Sequence, residues 1–364
     1  MRITYLANIR LPTEKAHGIQ ILKACEAFAR AGEEVDLLVP RRESAIKEEP
    51  LSYYGIKHTF RIDRLFSFDT VSWGRFGFLL HTISFALSAS FSIERGAVVY
   101  GRDELLLSIV GLLCNNPLFW ESHDGRLNLC ARYLRRRASG IVVVTRSAQT
   151  MYMKEGFQIQ KLLATPNGID LADFAQPETK EVARARLGLP QDKTIALYIG
   201  GLGGWKGVDT LLSAAKLLPS DVQVAIIGGE EKQVKDLRER FPHVLFLGPR
   251  PYSELSDNQA AADVLVVPNT GRDPVSVSFT SPLKLIAHMA SGRPIVASDL
   301  PSIRELVGED TAILVSPDSP QALAEGIIRA KETPAVASRA MAQVKAFDWK
   351  ERAVRIVAFI QKQL

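Results

Sequence analysis

The sequence predicts an α/β protein built from two doubly wound parallel-sheet domains. Short apolar segments alternate with stretches of helical periodicity along the whole chain, which is the pattern of strand–helix–strand units. Several of these segments end in glycine or polar residues, as parallel strands do where they open onto a ligand crevice. A chain of 364 residues exceeds one ordinary hydrophobic core, so we expect two domains.

The alternation begins at the amino terminus. Residues 3–8 form the first predicted strand, and a polar loop at 13–18 leads into a predicted helix at 19–31. Gly32 ends that helix, and the next strand is predicted at 35–39. This order of strand, loop, helix and strand is the opening of a parallel doubly wound sheet.

Polar residues follow the later strands of the first half. Arg102 follows one apolar segment, and His123 and Asp124 follow the next. Because the carboxyl ends of parallel strands meet at one edge, we expect these side chains to share a crevice wall with Gly18. A single histidine after a strand is also commonly a structural residue, and Arg102 has the alternative of a plain surface charge.

The second half repeats the alternation after a polar stretch at 171–193. Strands are predicted at 194–199, 222–227, 244–247, 264–267, 294–297 and 312–315, with helices at 207–217, 231–240, 283–291 and 320–332. Two similar halves create a cleft that both sets of strand ends can face. We predict one domain over 1–172, a second over 173–346, and an amphipathic helix over 347–364 that crosses back toward the first.

A glycine-rich turn joins a predicted strand to a predicted helix in the second half. It spans Tyr198 to Gly207 and carries one lysine, Lys206. Glycines allow close backbone approach, and a helix start presents unpaired N–H groups, so the turn suits a phosphate or diphosphate. The alternative is a tight turn whose lysine is merely solvated.

Composition favours a cytoplasmic protein with anionic partners. The net charge is +5, and the three cysteines form no complete disulfide set and no metal-ligand spacing. The first apolar run soon meets Arg10 and Pro12, so it is too short for a signal peptide. A basic tract at 132–137 is a solvated helix face by default, with a membrane-surface or nucleic-acid role as the alternative.

The span 76–93 is uncharged but rich in serine and threonine, which favours a buried or half-buried helix over a membrane span. Aromatic residues near its start lie among arginines. They form either part of the core or an interfacial patch that makes peripheral membrane contact: Phe66, Phe68, Trp73, Phe76 and Phe78.

Two motifs that would indicate a dinucleotide cofactor or a bound metal ion are absent from the sequence. No Gly-x-Gly-x-x-Gly follows the first strand, which argues against an NAD dehydrogenase. No Asp-x-Asp occurs, so we expect no metal ion and no cofactor, with lysine and helix starts in place of the ion.

Three motifs resemble glycosyltransferase family four. They are Asn167-Gly168-Ile169-Asp170, Trp205-Lys206-Gly207, and the run from Ser281-Pro282-Leu283-Lys284-Leu285 through Met289-Ala290-Ser291-Gly292 to Ser298. The resemblance covers nearly the whole chain and is more specific in the second half. It implies the GT-B fold, a nucleotide-sugar donor and retention of anomeric configuration.

The resemblance also implies residue roles. Gly18 would lie in a loop near the donor diphosphate and the acceptor, His123 near the transferred sugar, and Arg250 near the nucleobase. Lys206 would bind the diphosphate, beside Gly201 in the same loop. The segment at the start of the 283–291 helix would present backbone N–H groups to sugar and phosphate. Its donor-binding residues would be Phe279, Thr280, Ser281, Pro282 and Leu283. We assign acceptor or sugar contacts to His17, Arg102 and Asp124.

Two departures from the family pattern stand out. Gly201 occupies the position where the family usually has an arginine before the lysine. Phe279 and Ala287 occupy the positions of two glutamates that usually contact the sugar and the ribose. We hypothesise that Lys284 replaces the lost positive charge at the diphosphate.

The sequence therefore predicts a retaining glycosyltransferase that acts on a glycan or lipid-linked acceptor in cell-envelope glycan synthesis. It would be cytoplasmic or peripheral to the inner face of the membrane, without nucleic-acid partners. His123 would orient the sugar. Glu121 and Asp124 would either assist His123 or hold the loop through side-chain to backbone bonds, which is the role we favour for Glu121. The alternatives are a degenerate homologue that acts as a binding subunit, or a nucleotide-sugar epimerase.

Overall fold

The computed structural model describes residues 1–13, 15–125 and 127–364; Glu14, which belongs to the predicted polar loop, and Arg126 lie outside them. The chain forms two compact units. The first comprises Met1–Pro166 and Trp349–Leu364, and the second comprises Asn167–Asp348.

The first unit contains a seven-stranded parallel sheet. Its strands are β1 (Arg2–Leu6), β2 (Glu34–Pro40), β3 (Arg61–Leu65), β4 (Val98–Gly101), β5 (Leu118–Ser122), β6 (Gly140–Val143) and β7 (Leu162–Ala164). They lie in the order β3-β2-β1-β4-β5-β6-β7. The helices are α1 (Ala16–Arg30), α2 (Pro50–Tyr53), α3 (Gly74–Ser92), α4 (Glu104–Leu113), α5 (Leu129–Arg137) and α6 (Arg146–Lys154).

The second unit contains a six-stranded parallel sheet. Its strands are β8 (Thr194–Ile199), β9 (Val222–Ile227), β10 (Leu245–Phe246), β11 (Val264–Val267), β12 (Ile295–Ser298) and β13 (Ile313–Val315), in the order β10-β9-β8-β11-β12-β13. The helices are α7 (Lys180–Leu187), α8 (Val208–Ala214), α9 (Glu231–Arg240), α10 (Leu255–Ala260), α11 (Leu283–Ala290), α12 (Pro301–Arg304), α13 (Pro320–Glu332) and α14 (Ala335–Gln343).

The last helix, α15 (Trp349–Gln363), follows the second unit in sequence but packs in the first, on α1 and β6. Phe359 meets Phe119 of β5 edge to face, with ring centroids 6.1 Å apart. Arg352 donates from Nε to the carbonyl of Pro166 over 2.7 Å. A residue near the carboxyl terminus thereby reaches the interior of the first unit.

The predicted α/β class with two parallel sheets is confirmed, and the predicted strands of the second half match the observed ones to within one residue at each end. β3 was not predicted, because three of its five residues are charged and it forms no apolar run. As an edge strand beside β2, it tolerates those exposed charges.

The predicted helix at 76–93 is α3, and its inner face is buried on the sheet while its outer face is exposed. The core alternative for the aromatic residues at its start is therefore wrong: Phe66, Phe68, Trp73, Phe76 and Phe78 are exposed. Among the described residues, no helix combines the length and apolarity needed to cross a bilayer.

Candidate functional site

A buried carboxylate connects the polar residues around β4 and β5 in the first unit. Glu121 of β5 is 1% exposed and accepts hydrogen bonds from Tyr100, from Arg102 Nη2 at 2.9 Å and from His123 Nε2 at 2.6 Å. Arg352 of α15 forms an ion pair with the same carboxylate, with Nη2 3.1 Å from Oε1. Glu121 thus links β4, β5 and the last helix.

The charges around Glu121 set its protonation state. Burial alone would raise the pKa of this carboxyl group, but the positive charges of Arg352 and Arg102 and the hydrogen bond from His123 hold the pKa well below its usual range. Burial, together with the charge of Arg102, lowers the pKa of His123 to about 4, against the opposing pull of Glu121. At neutral pH the imidazole is uncharged.

A neutral His123 has one defined tautomer in this network. Because Nε2 faces a carboxylate, that nitrogen carries the proton and donates it. Nδ1 then carries the lone pair and serves as a hydrogen-bond acceptor. The side chain remains 26% exposed, so a ligand hydroxyl can reach it.

The network corrects two expectations from the sequence. Among the described residues, Glu121 bonds to side chains and not to the backbone of its loop, so it positions His123 and Arg102 instead of holding the loop. Arg102 is not a plain surface charge, because its side chain is 14% exposed and also donates from Nη1 to Gln20 over 2.7 Å. Asp124 follows His123 directly and is half-buried.

Gly18 does not lie in a loop. It belongs to the first turn of α1, where it is buried, beside the half-buried His17. A Cβ atom at Gly18 would lie 2.2 Å from the Tyr54 hydroxyl, which donates to the Thr13 carbonyl over 2.6 Å. The close packing of Tyr54 therefore leaves no room for a side chain at position 18, which explains the glycine there.

A cavity of about 650 Å³ lies beside the segments that follow β1, β2 and β3. Its walls include the cationic residues Arg41, Arg42, Lys47 and Arg64, and the acidic residues Glu43, Glu48 and Asp69. Arg42 is paired with Asp69 across 3.1 Å. The cavity has a mixed charged and apolar lining and is of a size that admits a sugar-sized ligand.

In the second unit, the predicted glycine-rich turn follows β8 and precedes α8. Gly207 has a φ of +67°, and a Cβ atom there would lie 1.8 Å from the Pro268 carbonyl oxygen. Only glycine fits such a position without displacing the backbone. The close approach places Gly207 against the segment that follows β11, and the Thr270 N–H of that segment donates to the Trp205 carbonyl over 3.1 Å.

Lys206 and Lys284 lie close together around Tyr198. Lys284 Nζ is 4.6 Å from the Tyr198 ring centroid and 3.4 Å from its hydroxyl, and that hydroxyl donates to the Gly201 carbonyl over 2.7 Å. A Cβ atom at Gly201 would lie 3.4 Å from Lys206 Nζ. In the described ranges 1–13, 15–125 and 127–364, neither lysine forms an ion pair.

The two ammonium groups influence each other. Burial and the nearby charge of Lys206 lower the pKa of Lys284 to about 7. An anion between them would relieve this repulsion and restore full protonation of Lys284. Two lysines without a carboxylate partner can bind a phosphate group.

The segment before α11 is fixed by Asn167. The Asn167 backbone N–H donates to Ser281 Oγ over 3.0 Å, and its side chain donates to the Ser281 carbonyl over 2.8 Å. Thr280 and Ser281 are buried, and the N-cap residue Pro282 has no side-chain acceptor to cap the helix. The first N–H groups of α11, at Leu283 and Lys284, therefore carry no side-chain cap.

The positions of the missing glutamates differ in environment. Ala287 is 1% exposed within the core of the second unit, whereas Phe279 ends a short π-helical turn and is half-buried. Arg250 is exposed in the loop after β10. No carboxylate replaces the two glutamates at these positions.

Sequence reasoning missed Tyr198 and Arg352. Tyr198 was assigned to a buried strand, and only its hydroxyl contacts connect it to the lysine pair. Arg352 lies more than two hundred residues from Glu121 in sequence, so no local pattern could associate them. Within the described part of the chain, no cluster of three or more His, Cys, Asp or Glu residues is suited to hold a metal ion.

The comparison with protein families concerns the second unit. Residues 193–332 match the family model described as glycosyl transferases group 1. The second unit belongs to the group 1 glycosyltransferases. The resemblance drawn from the three motifs is thereby confirmed at this level.

Curated relatives of this chain carry glycosyltransferase names. One, named for teichuronic acid biosynthesis in Bacillus subtilis, is 32% identical over 194 residues, 53% of this chain and 46% of the relative. A phosphatidyl-myo-inositol mannosyltransferase of Mycobacterium tuberculosis is 31% identical over 208 residues, 53% of this chain and 52% of the relative. The chain spans about half the length of the curated relatives it matches.

Solved structures match the chain over nearly its whole length. Sucrose-phosphate synthase from Thermosynechococcus elongatus superposes with a TM-score of 0.79 at 21% identity, over 99% of this chain and 98% of the other. Anabaena HepE in complex with UDP-glucose gives 0.78 at 18% identity, over 98% and 99%. At these identities the likeness shows the fold, and that fold is GT-B.

Proposed function

We propose that this chain transfers a sugar from a nucleotide-diphosphate sugar to a hydroxyl acceptor, with retention of configuration and without a metal ion. The observation that carries the proposal is the pair of lysines, Lys206 and Lys284, beside a glycine-rich turn and the uncapped start of α11. Family membership of the second unit and the UDP-glucose complex of the structural neighbour HepE support the choice of donor.

The lysine pair would act on the leaving group. Cleavage of a glycosyl–phosphate bond develops negative charge on the departing diphosphate, and fixed positive groups stabilise that charge more in the transition state than in the ground state. Two ammonium groups supply the charge that a divalent cation supplies in other transferases. Tyr198 keeps Lys284 in position through its ring and its hydroxyl.

His123 would act on a sugar or acceptor hydroxyl. Its Nε2 proton is held by Glu121, so Nδ1 accepts a hydrogen bond from a hydroxyl group and orients it. The low pKa of His123 keeps this acceptor available at neutral pH. We assign Arg102, Asp124 and His17 to positioning roles around it.

The acceptor is proposed to be a glycan or lipid-linked hydroxyl of the cell envelope. The names of the relatives, which refer to teichuronic acid and to phosphatidyl-myo-inositol, support this class. The cavity beside β1, β2 and β3, whose four cationic residues outnumber its three acidic ones, is a candidate site for an anionic acceptor.

The test is acceptor-dependent release of nucleotide. The purified chain is incubated with a panel of UDP-, GDP- and ADP-sugars and with envelope glycan or lipid acceptors, in magnesium and in chelator. We expect nucleotide release that needs both donor and acceptor and persists in chelator. Donor binding without release would favour a degenerate binding subunit, interconversion of the donor sugar without acceptor would favour an epimerase, and loss of activity in chelator would overturn metal independence.

A further inference from the structure

The outer face of α3 carries an exposed apolar stripe. We use this name for Phe76, Leu79, Ile83, Leu87 and Phe91, which are spaced by three or four residues and are between 37% and 91% exposed. From residue 76 to residue 93 the sequence contains no charged side chain. A helix face in contact with water normally carries charged and polar residues, so this face is suited to contact with an apolar surface or phase.

Exposed aromatic rings extend the stripe at the start of α3. Phe66, Phe68 and Trp73 are between 49% and 67% exposed. The segment that carries them is fastened to the helix: Thr70 Oγ1 donates to the Gly77 carbonyl over 2.7 Å, and the Phe68 N–H donates to Ser84 Oγ over 2.9 Å. The stripe and these rings therefore form one preformed apolar surface.

The inner face of α3 keeps the helix docked on its own unit. His81, Thr82 and Ser84 are buried there, and His81 hydrogen-bonds the Phe68 carbonyl and Asn8 at 2.9 Å each. Removal of these polar groups from their partners into hydrocarbon would be costly. The helix can therefore present only its outer face to an apolar phase.

Arginines flank the stripe. Arg75 and Arg95 are exposed near the two ends of α3. Arg132 and Arg136 are exposed on α5, which packs on α4, which in turn packs on α3. An apolar face rich in aromatic rings with arginines beside it is the pattern of elements that lie in the interface of anionic membranes.

We propose that the stripe and the arginines beside it dock this unit onto the surface of an anionic phospholipid bilayer, with α3 parallel to the membrane plane. Charge complementarity favours this occupant over a second copy of the chain. Glu94, the exposed carboxylate beside Arg95, is already paired with Arg2, and α3 itself carries no carboxylate. Two copies that met through this face would therefore bring arginines together without a carboxylate from α3 to neutralise them.

The test is co-sedimentation of the full chain with vesicles. Vesicles made of equal parts phosphatidylglycerol and phosphatidylcholine are compared with vesicles of phosphatidylcholine alone. We expect binding that needs phosphatidylglycerol and weakens in high salt. Ile83→Glu combined with Leu87→Glu should abolish it, and Arg132→Ala combined with Arg136→Ala should weaken it by roughly fivefold per arginine.

A matched control separates this face from general surface apolarity. Val182→Glu combined with Leu217→Glu adds the same charges at exposed apolar positions of the second unit, and should bind vesicles as the wild type does. Thermal unfolding identifies any variant that fails to fold. Nucleotide-sugar binding by the Ile83 and Leu87 variant should be unchanged, so this proposal can fail while the proposed function stands.

Two results would overturn the proposal. One is wild-type protein that stays in the supernatant with both vesicle types. The other is a dimer in sedimentation velocity that the Ile83→Glu and Leu87→Glu changes dissociate, which would make the stripe an interface between copies.

Discussion

Lys284 Nζ lies 4.6 Å from the ring centroid of Tyr198, and the Tyr198 hydroxyl donates to the carbonyl of Gly201. Through this one tyrosine, the second lysine and the glycine-rich turn are held in a fixed relation. Gly201 is the position where an arginine usually stands in the resembled family. The structure thus brings a lysine from another segment to the neighbourhood from which that charge is missing.

Removal of either lysine should weaken donor binding and turnover. We expect Lys206→Ala to lower kcat by about two to three decades, since loss of one donor to a developing anion costs about 3–4 kcal/mol. Lys284→Ala should weaken donor affinity as well, measured by isothermal titration with the active nucleotide sugar. Lys216→Ala, an exposed lysine of the same unit, is the control. Unchanged donor affinity in Lys284→Ala would reject its assigned role.

Donor affinity should depend on pH through Lys284. The pKa of this lysine is lowered to about 7 in the free protein, so its charged fraction falls as pH rises through that value. Binding of a nucleotide-diphosphate sugar should therefore weaken from about pH 6 to about pH 8.5, by at most about tenfold per pH unit. Lys284→Arg, which stays charged throughout, should flatten the profile. A flat wild-type profile would contradict the assignment.

Tyr198→Phe tests the contact between the turn and the lysine pair. The change removes the hydroxyl that bonds the Gly201 carbonyl but keeps the ring under Lys284. We expect donor affinity to fall by about fivefold, corresponding to the roughly 1 kcal/mol of one hydrogen bond. Tyr252→Phe, also in the second unit, serves as the comparison. Equal effects of the two changes would argue against a specific role for Tyr198.

Glu121→Gln should destabilise the first unit. The change leaves Arg102 and Arg352 without their buried counter-charge, which we expect to lower the free energy of unfolding by about 3–5 kcal/mol in urea denaturation. Glu34→Gln removes an exposed carboxylate that pairs with Arg2, and should leave the free energy of unfolding almost unchanged, because solvent screens that pair. Similar losses in both variants would show that the buried network does not stabilise the unit.

Gly207→Ala should disrupt the glycine-rich turn. A Cβ atom there would lie 1.8 Å from the Pro268 carbonyl oxygen, so the backbone must move. We expect the free energy of unfolding to fall by about 3 kcal/mol or more, and donor binding to be lost. Gly188→Ala is a closely matched control, because it has nearly the same φ of +66° with no atom within 4 Å of the added methyl group. For Gly188→Ala we expect a loss of only about 1–2 kcal/mol in the free energy of unfolding, the cost of placing a residue with a side chain in the left-handed backbone region.

Several features followed from local sequence patterns. The alternation of apolar segments and helical periodicity is enough to predict two parallel sheets, because each buried strand leaves a run of apolar residues. β3 was missed because an edge strand needs no such run. Gly18 was misplaced because a glycine that makes room for Tyr54 in a helix looks, in sequence, the same as a glycine in a loop.

The sequence by itself determined the α/β class, the family of the second unit, and the presence of a glycine-rich turn with one lysine. Only the tertiary structure decided that Lys284 and Tyr198 join that lysine, that Arg352 of the last helix neutralises Glu121, and that the aromatic residues around α3 face outward. The reason is physical. Hydrophobic periodicity and turn chemistry act between neighbours in the chain, whereas charge pairing and burial depend on which distant segments the packing brings together.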